Sequence, residues 1–516
     1  MVAGKNEGVT CCTAVHRGRR LALPVAFCFF ALTCGIARGE DAALKSQRAK
    51  SIMAAGRYEE AIPLYKELLA ELPGNPGIQL NLALAEHMAG HEKEAIPVFE
   101  SVLKTQPHLM PALLSLGAAQ LALNQPRQAL APLRKAVAAE PENPDARGML
   151  ADALSGAGEF DQAAEQYRKL TELASNDPRA WYGLGMTYQA MATDAFDRLR
   201  KLTADSPFLA ALIADTRVQR HQYRSAYFFY TQALRDLPEL HGVHAALAEV
   251  YRKTGHPDWG AAEDAKERAL APPDCKLHSA ECRFVAGHDL QATTLTPAGV
   301  PSAEALFWRA KAANELSLQA LVRLGQLPPS VEYHRLRAGI ARDQNHHLES
   351  ANEWRAALAL APGNPALQQE LAISLFLDAD YRAAVTEAEK VLALDRKSPQ
   401  MNFTVGDSWL RLEEPGKAVP YLRTALLSDP KLLAAEASLG LALSRLGKFA
   451  EAVPHLEKSI SLDDDGSLHY QLARAWQAAG NAAMAQTAMA QYQELLKKNQ
   501  EQKEEAAKET TVAPPQ

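Results

Sequence analysis

From Gly56 onward, apolar and polar positions alternate with a helical period, and one phrase keeps returning. It reads GRYEEAIPLYKELLAELPGNP from Gly56, GHEKEAIPVFESVLKTQP from Gly90, GEFDQAAEQYRKL from Gly158 and GKFAEAVPHLEKSI from Gly447. The period is 34 residues: Ala61, Ala95, Ala129 and Ala163 follow one another at that spacing, as do Ser350, Ala384, Ala418 and Ala452. Four residues beyond them stand Tyr65, Phe99, Leu133 and Tyr167, then Trp354, Ala388, Leu422 and Leu456; Pro73, Pro107, Pro141, Pro362 and Pro430 lie twelve beyond. A period of this length predicts a unit of two amphipathic helices. Small residues in the first helix (Ala83, Gly117, Ala151, Gly185, Gly406, Gly440) and the alanine series in the second let the pair approach closely. Gly56, Gly90, Gly158, Gly255, Gly447 and Gly480 fall at the turn between them, where a positive φ suits glycine. Pro63, Pro97, Pro420 and Pro454 are expected in the first turn of the second helix, where a missing N–H does no harm.

One such unit cannot bury its apolar face, so neighbours must stack. Trp181-x-x-Leu184-Gly185-x-x-Tyr188, set in this period, resembles the first-helix signature of tetratricopeptide repeat (TPR) proteins, and the likeness extends over nearly the whole chain after its first forty residues. The resemblance implies an all-α, right-handed α-solenoid of about 13–14 helix-turn-helix units, of the exported multi-repeat type, with an irregular middle. In that middle, Ala195-Phe196-Asp197-Arg198-Leu199 returns as Ala320-Leu321-Val322-Arg323-Leu324, and Ala226, Tyr230, Ala233 and Pro238 return as Ser350, Trp354, Ala357 and Pro362. These read as two compact units with a shortened turn, produced by duplication of a longer block. The expected organisation is a leader over 1–37, regular repeats over 38–175, irregular repeats over 176–270 and a degenerate unit over 271–303. Compact repeats over 304–365, regular repeats over 366–496 and a disordered tail over 497–516 complete it.

The leader assignment rests on Arg17, Arg19 and Arg20 followed by the uncharged run Leu21–Cys34 and the small residues near Ala37. Fourteen residues make roughly 21 Å of helix, short of the roughly 30 Å needed for a permanent span. Export to the periplasm or beyond is therefore expected, with no transmembrane span in the mature chain. A lipid anchor at Cys34 is a second option, because Ala31-Leu32-Thr33-Cys34 loosely resembles a lipobox. Export changes the cysteine arithmetic: of six, only Cys275 and Cys282 remain after the leader, and an oxidising compartment favours one disulfide between them. His278 and His288 lie close by in sequence, so a metal- or redox-responsive module centred on Cys275 and Cys282 is the alternative.

Charge and motifs narrow the function further. Lys+Arg number 55 against 61 Asp+Glu, a formal net charge of -6, which gives no reason to expect nucleic acid as a partner. The chain carries no Gly-x-x-x-x-Gly-Lys-[Ser/Thr], Gly-x-Ser-x-Gly or His-Glu-x-x-His. The stretch least claimed by repeats, 271–303, is far smaller than an independent catalytic domain. A non-catalytic scaffold without cofactor or resident metal is expected. The histidine pairs His241/His244 and His346/His347 read as surface residues.

In TPR proteins the inner groove is lined by the second, fifth, ninth, twelfth and thirteenth places of the unit. Carried onto this chain, the resemblance picks out Leu84, Leu114, Tyr182, Gln189, Asp215, Arg252, Arg335, Arg342, Phe376, Phe403, Asp407 and Arg411. Apolar ends around a mixed-charge middle suit an extended peptide or a helix. The expected function is a protein or peptide scaffold, in envelope or secretion assembly; a glycan-binding envelope accessory is a further alternative.

Overall fold

The computed structural model describes residues 29–293, 301–509 and 512–515. Most of the expected leader, with Cys11, Cys12 and Cys28, lies outside the described residues, as does the side chain of Cys34. Among the described residues the chain forms 26 α-helices and a three-residue 3-10 helix, with no strand. No helix among them is long and apolar enough to cross a membrane. Two units, 1–140 and 141–516, each stack their helices in antiparallel pairs in the manner of an α-solenoid.

In the first unit Tyr58–Glu71 packs on Phe29–Ala54, Pro76–Met88 on Glu92–Thr105, and Met110–Ala122 on Pro126–Ala139. The 34-residue pattern explains the pairing. A Cβ on Gly117 would lie 2.6 Å from Leu133 Cγ, so only glycine lets Leu133 seat against the first helix. The turns sit in the left-handed region at Gly56 (φ 73°), Gly90 (83°) and Asn124 (56°), and asparagine is the residue that tolerates this next best after glycine. Asn75 starts Pro76–Met88 by accepting the Gly77 and Ile78 N–H groups, with Pro76 in the first helical position. The interior prolines stand differently from expectation. Tyr58–Glu71 begins five residues before Pro63 and Glu92–Thr105 five before Pro97. Each proline thus removes a second-turn hydrogen bond; the carbonyls released belong to the exposed residues Glu59 and Lys93, which keeps the cost low.

The second unit opens with Pro144–Gly156 paired to Phe160–Leu173 across Gly158 (φ 81°). Continuing the series of 56, 90, 124 and 158, the next turn falls at residue 192, which is alanine. The helix does not stop there, although Ala379 (φ 64°) does form the turn after Pro365–Leu377, so alanine alone does not decide it. It runs from Pro178 to Leu202, 25 residues, and its partner is Ala303–Gly325, 23 residues, about a hundred positions downstream. The two run antiparallel. At one end a Cβ on Gly185 would lie 2.5 Å from Leu321 Cδ2, and Ser317 Oγ donates to the Gly185 carbonyl at 2.9 Å. At the other end Ala195 and Leu199 share a core with Leu306, Phe307 and Ala310. The segments Ala195–Leu199 and Ala320–Leu324 are therefore parts of two uninterrupted helices, and neither contains the shortened turn that their likeness had implied. One repeat is split: its first helix is Pro178–Leu202 and its second is the C-terminal half of Ala303–Gly325.

Residues 203–293, between the two halves, form a lobe inserted into that split repeat. Its helix pairs are Pro207–Gln219 with Tyr223–Asp236 and Val243–Lys253 with Pro257–Ala269, followed by the short Ser279–Val285 and Asp289–Ala292. The lobe shares its core with the distal ends of the long pair. Lys311 Nζ also meets Asp215 at 2.9 Å, and Arg309, 3 % exposed, reaches both Asp161 and the Thr293 carbonyl. After the split repeat the regular series resumes with Val331–Asp343 and His347–Leu360 and continues to Ser467–Ala478 and Ala482–Glu509. The last helix continues to Glu509, and Val512 and Ala513 lie against the inserted lobe.

Candidate protein-binding cleft

Bridging the split repeat makes Pro178–Leu202, Val331–Asp343 and Pro365–Leu377 the first helices of successive repeats. Together with Ala303–Gly325 they enclose a cleft of about 1320 Å³. Its walls bring together four residues that repeat register alone picks out: Tyr182, Gln189, Arg335 and Arg342. The Arg335 guanidinium lies 4.8 Å from the centre of the Tyr182 ring, a cation–π contact that holds both side chains over the cleft. Arg342 Nη1 pairs with Glu370 Oε2 at 3.1 Å.

Three large apolar side chains in the same cleft stay in water: Met186 (38 % exposed), Ile340 (49 %) and Leu318 (57 %). Apolar side chains scattered singly are ordinary on a surface; gathered in one concavity with charged residues beside them, they fit a site that covers them with a partner. Met186 stands at the ninth place of its unit, a position that repeat register already marks. Leu318 had no such signal, because the helix carrying it belongs to a repeat whose other half is far away in sequence. The indole of Trp354, 6 % exposed, lines the cleft, and its N–H has no partner.

The remaining residues expected in the groove lie elsewhere. Leu84 and Leu114 are half-buried in the first unit. Asp215 accepts from Tyr230 Oη at 2.6 Å as well as from Lys311, and Arg252 pairs with Glu249 (2.9 Å) and Asp264 (2.8 Å) within the inserted lobe. Phe376 and Phe403 meet edge to face at 6.3 Å, both half-buried. Asp407 is 4 % exposed, and its carboxylate accepts from Ser438 Oγ at 2.6 Å and Arg411 Nε at 3.2 Å. Asp215 has a structural analogue in Asp152, which accepts from Tyr167: in both repeats an aspartate sits fifteen residues before a buried tyrosine. Burial raises the Asp152 carboxyl above its ordinary range, and the Tyr167 hydroxyl bond partly opposes this. An aspartate in that place ties the two helices of its own repeat together, which leaves less of it for a partner.

A second recurring latch joins residues nineteen apart: Arg147 with Gln166, His244 with Glu263, His334 with Glu353, Gln368 with Glu387 and Glu436 with His455. His244, expected on the surface, is 8 % exposed, with Nδ1 2.5 Å from Glu263 Oε2 and Nε2 3.0 Å from the Pro238 carbonyl. Both acceptors call for N–H, so the ring is held as imidazolium. The Glu263 bond, more than burial opposes it, lifts His244 above its ordinary 6.5. Burial pushes Glu263 up, but the bonds from His244 and Lys266 outweigh it and bring the carboxyl below 4.5. The histidine's contribution to stability is complete below pH 6.5 and is lost as pH rises through its raised folded value. The glutamate's is complete above pH 4.5 and is lost as pH falls through its lowered one. Hydrogen exchange in Val243–Lys253 is accordingly expected to be slowest, after correction for intrinsic rates, between pH 4.5 and 6.5. In His244→Gln the acceleration above that window should disappear; an unchanged profile would show that the pair does not govern the lobe.

The sulfurs of Cys275 and Cys282 lie at bonding distance, 2.17 Å. They are turned to each other, and His278 Nδ1 instead meets Glu304 Oε1 at 2.9 Å, so the four cysteine and histidine side chains do not gather as one ligand set. A different trio, His278, Glu281 and Glu304, brings one ligand atom each within 4.8 Å of the others, although Glu281 already accepts from His241 at 2.6 Å.

Family models described as tetratricopeptide repeat match residues 53–119 and 120–186, and again 437–465 and 466–491. Among solved structures, MamA (41-end) from Desulfovibrio magneticus RS-1 is 20 % identical over 33 % of this chain and 96 % of that one, with a TM-score of 0.30. A MamA structure from strain MSR-1 is 18 % identical over 33 % of this chain and 98 % of that one, with a TM-score of 0.29. No curated protein matches the chain.

Proposed function

Since the chain is a tetratricopeptide-repeat protein, we propose that it is a non-catalytic scaffold that captures a protein or peptide segment in the cleft between Pro178–Leu202, Ala303–Gly325 and Val331–Asp343. The observation that carries this reading is the gathering of Met186, Leu318 and Ile340, all exposed, around the Tyr182–Arg335 stack. The apolar trio supplies anchors that gain from being covered. Arg335, Arg342, Asp343 and Glu370 give both signs of charge on the walls and so set the direction in which a segment lies. The leader pattern over 1–37 supports an envelope or secretory setting, in which Cys275 and Cys282 are oxidised to a disulfide.

A photo-crosslinking residue at Gln189 or at Arg342 tests the cleft, with one at Leu427, 84 % exposed and outside it, as control. Both cleft positions should trap the same protein and the control should not. Equal trapping at all three, or recovery of glycan instead of protein, would overturn the reading. The oxidised pair predicts an intact mass two hydrogens lower than the reduced chain. Reduction should loosen the short loop by about 2–3 kcal/mol, read as faster exchange around Ser279–Val285. Free thiols in protein isolated from its native compartment would contradict it.

A further inference from the structure

In a stack of repeats each helix pair is covered by the next, and a terminal pair needs a cap. Among the described residues the inserted lobe ends its full pairs at Pro257–Ala269, followed by two short helices of 7 and 4 residues, Ser279–Val285 and Asp289–Ala292. An aromatic group links the lobe's two helix pairs, with Tyr227 on the first and Tyr251 and Trp259 on the second. The rings of Tyr227 and Tyr251 are 5.8 Å apart, Trp259 meets Tyr251 edge-on at 5.7 Å, and His256 stacks on Trp259 at 3.9 Å.

Against it lies a segment from the far end of the chain. Val512 packs on the core that contains Tyr251, and Tyr251 Oη donates to the Ala513 carbonyl at 2.9 Å, across 262 residues. Tyr251 is 1 % exposed in this arrangement. The segment is Val512-Ala513-Pro514-Pro515, and its composition suits such a surface. Val512 offers a compact apolar anchor. The prolines fix φ and lack N–H groups, so the segment is extended before it binds and loses little conformational freedom on docking. Aromatic rings with a hydroxyl donor are what recurring proline-recognising grooves present.

We propose that the aromatic group of the inserted lobe is a docking site for a short extended peptide with an apolar anchor before its prolines, and that its resident occupant is the chain's own C-terminal segment Val512–Pro515. The site is separate from the cleft and does not depend on what the cleft binds. A foreign peptide of the same chemistry must displace it.

The test uses a chain shortened after Glu509 and a fluorescent peptide of residues 510–516. The shortened chain should bind the peptide saturably, and the full chain at least ten-fold more weakly, because its site is filled. Tyr251→Phe in the shortened chain should weaken binding roughly five-fold, the scale of one lost hydrogen bond, and a peptide carrying Asp in place of Val512 should not bind. Equal binding to full and shortened chains, or none to a shortened chain whose helix content is unchanged, would overturn the proposal. Should the shortened chain fail to fold, the full chain with Val512→Asp takes its place. There the amides of Val243–Lys253 should exchange faster than in the parent, and unchanged exchange would overturn the proposal. Dimers of the full chain that dissociate on adding the peptide would overturn the assignment of the occupant to the same molecule.

Discussion

Gly185→Leu is expected to destabilise the second unit by about 3 kcal/mol, the upper end of what forced overpacking costs. The side chain would have to enter space that Leu321 already fills, 2.5 Å from where its Cβ would stand, and Leu321 has Ser317 on its own helix bonded to the Gly185 carbonyl. The long pair cannot part at that point without loosening the distal end, where Ala195 and Leu199 meet Leu306 and Phe307. The inserted lobe should lose protection together with the split repeat. Gly416→Leu is the control: a Cβ there meets nothing within 4 Å, and replacing an exposed helical glycine should raise stability by about 0.5–1 kcal/mol. Urea unfolding followed by tryptophan fluorescence separates the two. Matching midpoints for both variants would mean that Pro178–Leu202 and Ala303–Gly325 do not form one packed repeat.

The second large effect concerns the cleft. Leu318→Asp with Ile340→Asp should cut the yield of the Gln189 crosslink at least a hundred-fold, while the thermal midpoint moves little. Both side chains are about half in water already, so the folded chain loses little by exchanging them. A bound segment, by contrast, would have to bury two carboxylates without partners, at several kcal/mol. A double variant that still gives the parent crosslink yield would remove the cleft as the binding surface. Phe376 and Phe403 would make poorer probes. Both are half-buried and touch each other, so their truncation mixes packing loss with any loss of binding.

Much of this architecture is legible in the residues themselves, and the places where it is not have physical causes. Glycine or asparagine at 56, 90, 124 and 158 marks the turns because those residues enter the left-handed region cheaply, but the rule does not find the missing turn at alanine 192, since Ala379 and Glu413 do form left-handed turns further on. What periodicity does not record is which helix pairs with which. Leu321 could be recognised as the counterpart of Leu133 only once Gly185 was seen to face it. The cleft was readable through Tyr182, Gln189, Arg335 and Arg342, whose places in the repeat face inward, but not through Leu318, which enters from the displaced second helix. Asp215 and Asp407 show the opposite limit. Place within the repeat points them to the groove, while hydrogen bonds to Tyr230 and Ser438, set by neighbouring side chains rather than by period, engage them in holding helices together.

The split repeat also sets an order of events during synthesis. Pro178–Leu202 leaves the ribosome about a hundred residues ahead of Ala303–Gly325, which at about 5–20 residues per second is a wait of roughly 5–20 seconds. Through that interval Phe160–Leu173 already covers one side of Pro178–Leu202, but the side around Gly185 that Ser317 and Leu321 cover in the finished protein has no partner helix to lie against. The nascent chain therefore exposes a sticky face midway through translation, and a chaperone that binds apolar helices would find its foothold there.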